Sequence, residues 1–232
     1  MKQLATLLLC IISVQSYSQA PEKLVGLWLV GNVSVGDEVM TPNAKWTRLN
    51  EDYSQESGNG WFQHSVGSWE FDEVSNQLRI ITENGLDDPF DGFSISWNED
   101  QMIWKRIEEG MEVVVILKRI DELPLTYANQ MLGLWKPEQA TGEGPFFGED
   151  LNESDYLFIR WDGKFVVGTD EGKTYGVYNV HAHKPEVELI PYGEMDRIFW
   201  SIDFLDDGVK ITLLNSEEKV TRTFKRIKKF PK

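Results

Sequence analysis

Gly26-Leu27-Trp28 and Lys118-Arg119-Ile120 return as Gly133-Leu134-Trp135 and Lys225-Arg226-Ile227, every residue displaced by the same 107 positions. Pro124 returns as Pro231 at that offset. A chain that repeats both its opening and its ending at constant spacing is two copies of one unit, and about 100 residues per copy is an ordinary domain size. The copies span 21–124 and 131–232, with a connector over 125–130. A linker that short keeps the two units close.

Within each copy the apolar pattern is short and alternating, which predicts strands and no amphipathic helix of useful length. In the second copy the runs are Leu132 to Lys136, Tyr156 to Trp161, Lys164 to Thr169, Thr174 to His181, Glu186 to Ile190, Arg197 to Phe204, Val209 to Leu214 and Lys219 to Ile227. Asp162-Gly163 and Asp207-Gly208 fall between runs, where Asp-Gly favours a tight hairpin turn. The first copy aligns with the second, Trp69 standing against Tyr178 and Trp97 against Phe204. Eight short antiparallel strands in succession are most economically closed into an up-and-down barrel, which leaves no exposed edge. The expected fold class is therefore all-β, two eight-stranded antiparallel barrels in tandem.

The chain opens with Lys2, an apolar run from Leu4 to Val14 and small residues at Ser16 to Ala20. That order predicts a signal peptide over 1–18, cut after Ser18, and hence a secreted or periplasmic protein. The apolar run is too short for a permanent membrane span. The single cysteine, Cys10, lies in the leader, so the mature chain has neither disulfides nor thiol nucleophiles. The net charge of -15, most of it in the first copy, disfavours nucleic acid and anionic membrane as partners.

The paired landmarks resemble those of the lipocalins and their relatives: a Gly-x-Trp on the first strand and an Arg near the end of the last. The resemblance implies that Gly26, Trp28 and Arg119, and again Gly133, Trp135 and Arg226, form a structural signature in which the Arg packs over the Trp at the closed end of a barrel. The whole mature chain looks like two bacterial secreted lipocalin-like domains in tandem. Each copy is short, without a C-terminal helix or a tail disulfide.

An eight-stranded barrel is just wide enough for packed side chains or for one small ligand. Alternation puts Trp61, Gln63 and Trp69 on one face, with Trp97 facing them from another strand, and Trp200 and Arg222 on inward faces of the second copy. Arg222 there requires an anion, either an internal carboxylate or a ligand's. Candidate ligand-binding residues are thus Trp61, Gln63, Trp97, Tyr178, Trp200 and Arg222, although aromatics like these are more often plain core. His181 and His183 have a chelating spacing, but Lys184-Pro185 marks the end of their strand, and the pair reads as a solvated loop with no metal site. The carboxylate-rich loops around Asp88 and Asp150 lack calcium-loop spacing. No serine sits in a nucleophile-elbow motif and no glycine loop cradles phosphate, so no cofactor is called for. Val113 to Leu117 is apolar on both faces, which predicts cover over Val114 and Ile116 from the other barrel or the connector.

The leading expectation is a secreted binding protein for a small apolar or amphipathic molecule. The alternative is an envelope interaction module that meets a protein or glycan through its acidic surface, with no internal ligand.

Overall fold

A computed structural model describes residues 20–85, 88–193 and 196–231. The signal peptide expected over 1–18 lies outside them. The first copy folds as β1 (Gly26–Val35), β2 (Glu38–Met40), β3 (Trp46–Leu49), β4 (Ser54–Asn59), β5 (Phe62–Asp72), β6 (Gln77–Thr82), β7 (Phe93–Asn98), β8 (Gln101–Glu108) and β9 (Met111–Ile120). All neighbours pair antiparallel, and β1 closes the cylinder on β9. The short β2 hairpins back onto the end of β1 as an appendage to an eight-stranded barrel.

The second copy comprises β10 (Gly133–Thr141), β11 (Tyr156–Ile159), β12 (Lys164–Thr169), β13 (Gly172–Val180), β14 (Glu186–Pro191), β15 (Ile198–Phe204), β16 (Gly208–Leu213) and β17 (Thr221–Ile227). These strands form a second closed antiparallel barrel in sequence order. Between the barrels, the connector carries one turn of helix, α1 (Tyr127–Met131), which the sequence pattern did not suggest. Five residues are too few for a helical period to show, and the turn is held by Asn129 Oδ1, which accepts the backbone N–H of Thr126 at 3.0 Å.

The two closed ends are built identically. Trp28 and Trp135 are 1% and 2% exposed. Trp28 Nε1 donates to Leu24 O and Trp135 Nε1 to Met131 O, both at 2.8 Å. Arg119 sits 4.4 Å over the Trp28 ring and Arg226 4.1 Å over that of Trp135. Each guanidinium also donates two hydrogen bonds to the chain entering its barrel: Arg119 to Val25 O and Lys23 O, Arg226 to Leu132 O and Gln130 O. Burying an indole stabilises by about 4 to 6 kcal/mol as an upper estimate, while a cation on its exposed face adds about 0.5 to 1 kcal/mol. The Trp is the stopper, and the Arg ties the incoming chain across it.

Both interiors are occupied by their own side chains. Trp28, Leu49, Trp69, Leu78, Met102 and Leu117 pack together in the first. Trp135, Phe165, Trp200, Ile211 and Phe224 do so in the second, where Phe147 from the long β10–β11 loop also enters the cluster. Val114 and Ile116 are half-buried. Their partners across the ladder are Ser34 and Asn32 on β1 and Lys105 and Ile103 on β8. Among the described residues, the hydrogen bonds between barrels run through Ala44, Lys45 and Asn59, not through β9.

Candidate functional site

The barrels meet where the β4–β5 hairpin of the first reaches the β13 end of the second. Asn59, 7% exposed at the end of β4, donates from Nδ2 to Val180 O at 2.8 Å. Gly60 follows in the left-handed region at φ +59°, and a Cβ there would collide with Asn129 Oδ1 and with Thr126 Oγ1 of the connector. Glycine is required at this tip because the helix turn approaches so closely. Trp46 anchors the same tip by donating from Nε1 to Gly60 O at 2.8 Å. Across the joint His183 Nε2 lies 3.0 Å from Ala44 O, and its Nδ1 lies 3.3 Å from Lys45 Nζ. Nε2 therefore carries the hydrogen and Nδ1 accepts, so His183 is a neutral imidazole.

These contacts enclose a cleft of about 370 Å³. Pro42, Asn43, Asn59, Trp61, Phe62 and His64 line it from the first barrel. Tyr178, Asn179, Val180, His181 and Ala182 face them from the second, with Ala128 of α1 and Gly163 completing the wall. Among the described residues no carboxylate, lysine or arginine lines it, in a protein of net charge -15.

Three buried polar atoms on this lining have no protein partner: Trp61 Nε1, His64 Nε2 and Asn59 Oδ1. Burial holds the His64 pKa below its ordinary 6.5, while a hydrogen bond to the Asn43 backbone, which favours the charged ring, opposes. Burial favours the neutral ring, and its Nε2 has no partner. The unpaired atoms of these lining residues are thus one donor, the indole N–H, one acceptor, Asn59 Oδ1, and one imidazole nitrogen. An unmet buried polar atom costs about 1 to 3 kcal/mol, so three together mark an incomplete environment.

Tyr178 forms part of the opposite wall. Its hydroxyl donates to Arg160 O at 2.7 Å, and burial, followed by the Asp162 charge, pushes its pKa up to about 12. The phenol therefore stays neutral and its ring is fixed in place.

Of the six residues predicted to touch a ligand, the fold brings Trp61 and Tyr178 to this cleft and places the other four elsewhere. Gln63 is exposed, not inward. Ser57 pairs with Ser65 but Gly58 with Gln63, so His64 is an extra residue in a β-bulge and the in–out alternation reverses there. Trp97, 41% exposed, packs against the Trp28 stopper with ring centroids 5.8 Å apart. Trp200 is fully buried in the second core.

Arg222 is 1% exposed, as its inward placement predicted, yet no carboxylate of the described residues pairs with it. Its Nη1 donates to Thr141 O at 3.0 Å and Thr221 O at 2.8 Å, while Nε and Nη2 have no partner. Burial lowers its pKa, and the more distant Glu149 charge works the other way. Two backbone carbonyls stand where an internal carboxylate was expected.

Asn59, His64 and His181 were not singled out as ligand-binding residues in the sequence. The one local signal was Asn59-Gly60, a turn dipeptide whose Asn side chain is free to reach outward. His181 and His183 are not a free pair: His181 Nδ1 accepts the backbone N–H groups of His183 and Lys184, both at 3.1 Å. Among the described residues no group of three or more His, Cys, Asp or Glu side chains is arranged to hold a metal. Near the seam of the first barrel, Arg106 is saturated by Asp88 and Glu108, each at 2.5 Å, and lies 4.1 Å over the Phe93 ring. That cluster pins a loop.

No protein-family model matches the chain, and no curated protein is similar to it in sequence.

Proposed function

We propose that this is an exported, lipocalin-like binding protein that holds one small amphipathic molecule in the cleft between its barrels. The observation that carries the reading is the convergence of three unpaired buried polar atoms, on Asn59, Trp61 and His64, upon a cleft walled by Trp61, Phe62 and Tyr178. Small-molecule sites combine an apolar wall with a few placed polar groups in this way, and volumes of about 300 to 1,000 Å³ are typical. Relation to the lipocalins rests on the duplicated Gly-x-Trp and Arg seals. Export rests on the leader-like first 18 residues. This cleft lies between the barrels, whereas the lipocalin resemblance would put a ligand inside one.

Packed interiors favour a second reading, an interaction module that meets a protein or glycan in the envelope through its acidic surface. The two are separated by titrating the mature protein with dodecanoic acid and with octyl glucoside, an uncharged amphiphile. Saturable quenching of tryptophan fluorescence, abolished by Trp61→Ala and unaffected by Trp97→Ala, supports the cleft. An absence of saturable binding, together with salt-sensitive capture of an envelope component, supports the second reading.

A further inference from the structure

From the hydrogen-bonding inventory of the cleft we infer its ligand class: an uncharged saccharide, seated with one ring face on the aromatic wall. The inference rests on the reading of this cleft as a binding site and narrows it.

Three features of the lining select the chemistry. First, the walls are uncharged while the protein as a whole carries -15, so an anionic ligand is repelled and no lining carboxylate rewards a cationic one. Second, the unmet atoms are mixed. Trp61 Nε1–H needs an acceptor, Asn59 Oδ1 needs a donor, and His64 Nε2 needs a donor or an acceptor according to its tautomer. A hydroxyl group both donates and accepts, so a ring bearing adjacent hydroxyls meets all three, whereas a fatty acid supplies acceptors only. A purely apolar ligand would leave all three buried and unmet, at a cost that forbids tight binding. Third, Phe62 is 46% exposed beside the half-buried Trp61, the rings 5.5 Å apart at 66°. Their surface beside the free indole N–H is amphipathic, as is a pyranose, which has C–H groups on its faces and hydroxyls around its rim.

The backbone keeps these atoms in place without a ligand. Asn59, a lining residue, is fixed by its Nδ2 bond to Val180 O, which leaves its Oδ1 without a partner, and the bulge at His64 re-aims that imidazole away from the strand's regular alternation. The ligand would bridge the two barrels, with hydrogen bonds to the first and its opposite face toward Tyr178 of the second.

The test is a titration of the isotopically labelled mature protein, observed by NMR, with maltose, cellobiose and N,N′-diacetylchitobiose, and in parallel with dodecanoic acid. Saturable shifts with at least one disaccharide are expected at the Trp61 indole N–H, the Asn59 side-chain amide and the His64 ring. Trp61→Phe, which removes the indole N–H, and His64→Phe, which removes both ring nitrogens, should each weaken that binding about tenfold. If the disaccharides leave these signals unmoved while dodecanoic acid shifts them saturably, the saccharide assignment is overturned and the cleft stands as a binding site. If none of the four ligands shifts them, both readings fall. Saccharide binding that both phenylalanine variants leave unchanged also overturns the inference, because the free atoms would then have no part in recognition.

Discussion

Arg226 Nη1 lies 2.5 Å from the point that a Cβ on Gly133 would occupy, and Gly133 itself sits at φ +132°. The glycine of each Gly-x-Trp is thus the vacancy through which the guanidinium reaches the carbonyls of the incoming chain. Gly26 and Arg119 are related in the same way, with Gly26 at φ +143°. The recurring glycine, tryptophan and arginine form one device, and removing any one member disturbs the other two.

Alanine at Gly133 must accept a left-handed backbone and displace Arg226, so Gly133→Ala should destabilise the second barrel by about 1 to 3 kcal/mol. Urea unfolding measures this. In the background of Arg226→Ala the same change should cost less, because only the backbone strain remains. Equal costs in both backgrounds would show that the contact carries nothing.

Arg222 is a buried cation bonded to two carbonyls and to no carboxylate. Its desolvation is poorly compensated, so Arg222→Met should be neutral or stabilising, by up to about 4 kcal/mol. Thermal or urea unfolding checks it. A loss of several kcal/mol would mean that the guanidinium has an anionic partner in solution.

All three histidines of the chain, His64, His181 and His183, lie at the joint between barrels, and burial, the largest influence on each, lowers its pKa from 6.5. Lys45 and Lys184 add to the lowering at His183 and His181 respectively, and Glu186 opposes it at His181. The unfolded chain then holds more protons between the folded pKa values and 6.5. The stability these groups contribute is fully present above pH 6.5 and is lost as pH falls through the folded values. Following the ring signals by NMR should give three midpoints below 6.5, with unfolding free energy rising from pH 5 to pH 7. Midpoints at or above 6.5 would contradict the buried, neutral joint.

The architecture was legible because it is written twice. A constant displacement of 107 residues carries the stoppers, the arginines and both chain ends, and turns such as Asp162-Gly163 mark hairpins locally. What the sequence hid were relationships without a local period. The extra residue at His64 reverses the face on which Gln63 falls, since a one-residue slip moves every side chain across the sheet. The hydrogen bond from Asn59 to Val180 spans 121 positions and leaves no pattern in either segment. Trp61 and Tyr178 were readable as aromatic candidates but not as neighbours, because a barrel interior was the concavity that strand alternation suggested.

The account stands on a single fixed arrangement of the two barrels, since the cleft exists only between them. With Cys10 replaced where residues 1–18 are retained, spin labels at Val74→Cys and Tyr192→Cys report the separation directly; both positions are exposed, one on each barrel. Pulsed electron paramagnetic resonance at pH 7.5 should give one narrow distance distribution, and Asn59→Leu should broaden it. A broad distribution in the unaltered joint would mean that the barrels tumble independently, and the cleft would not be a site.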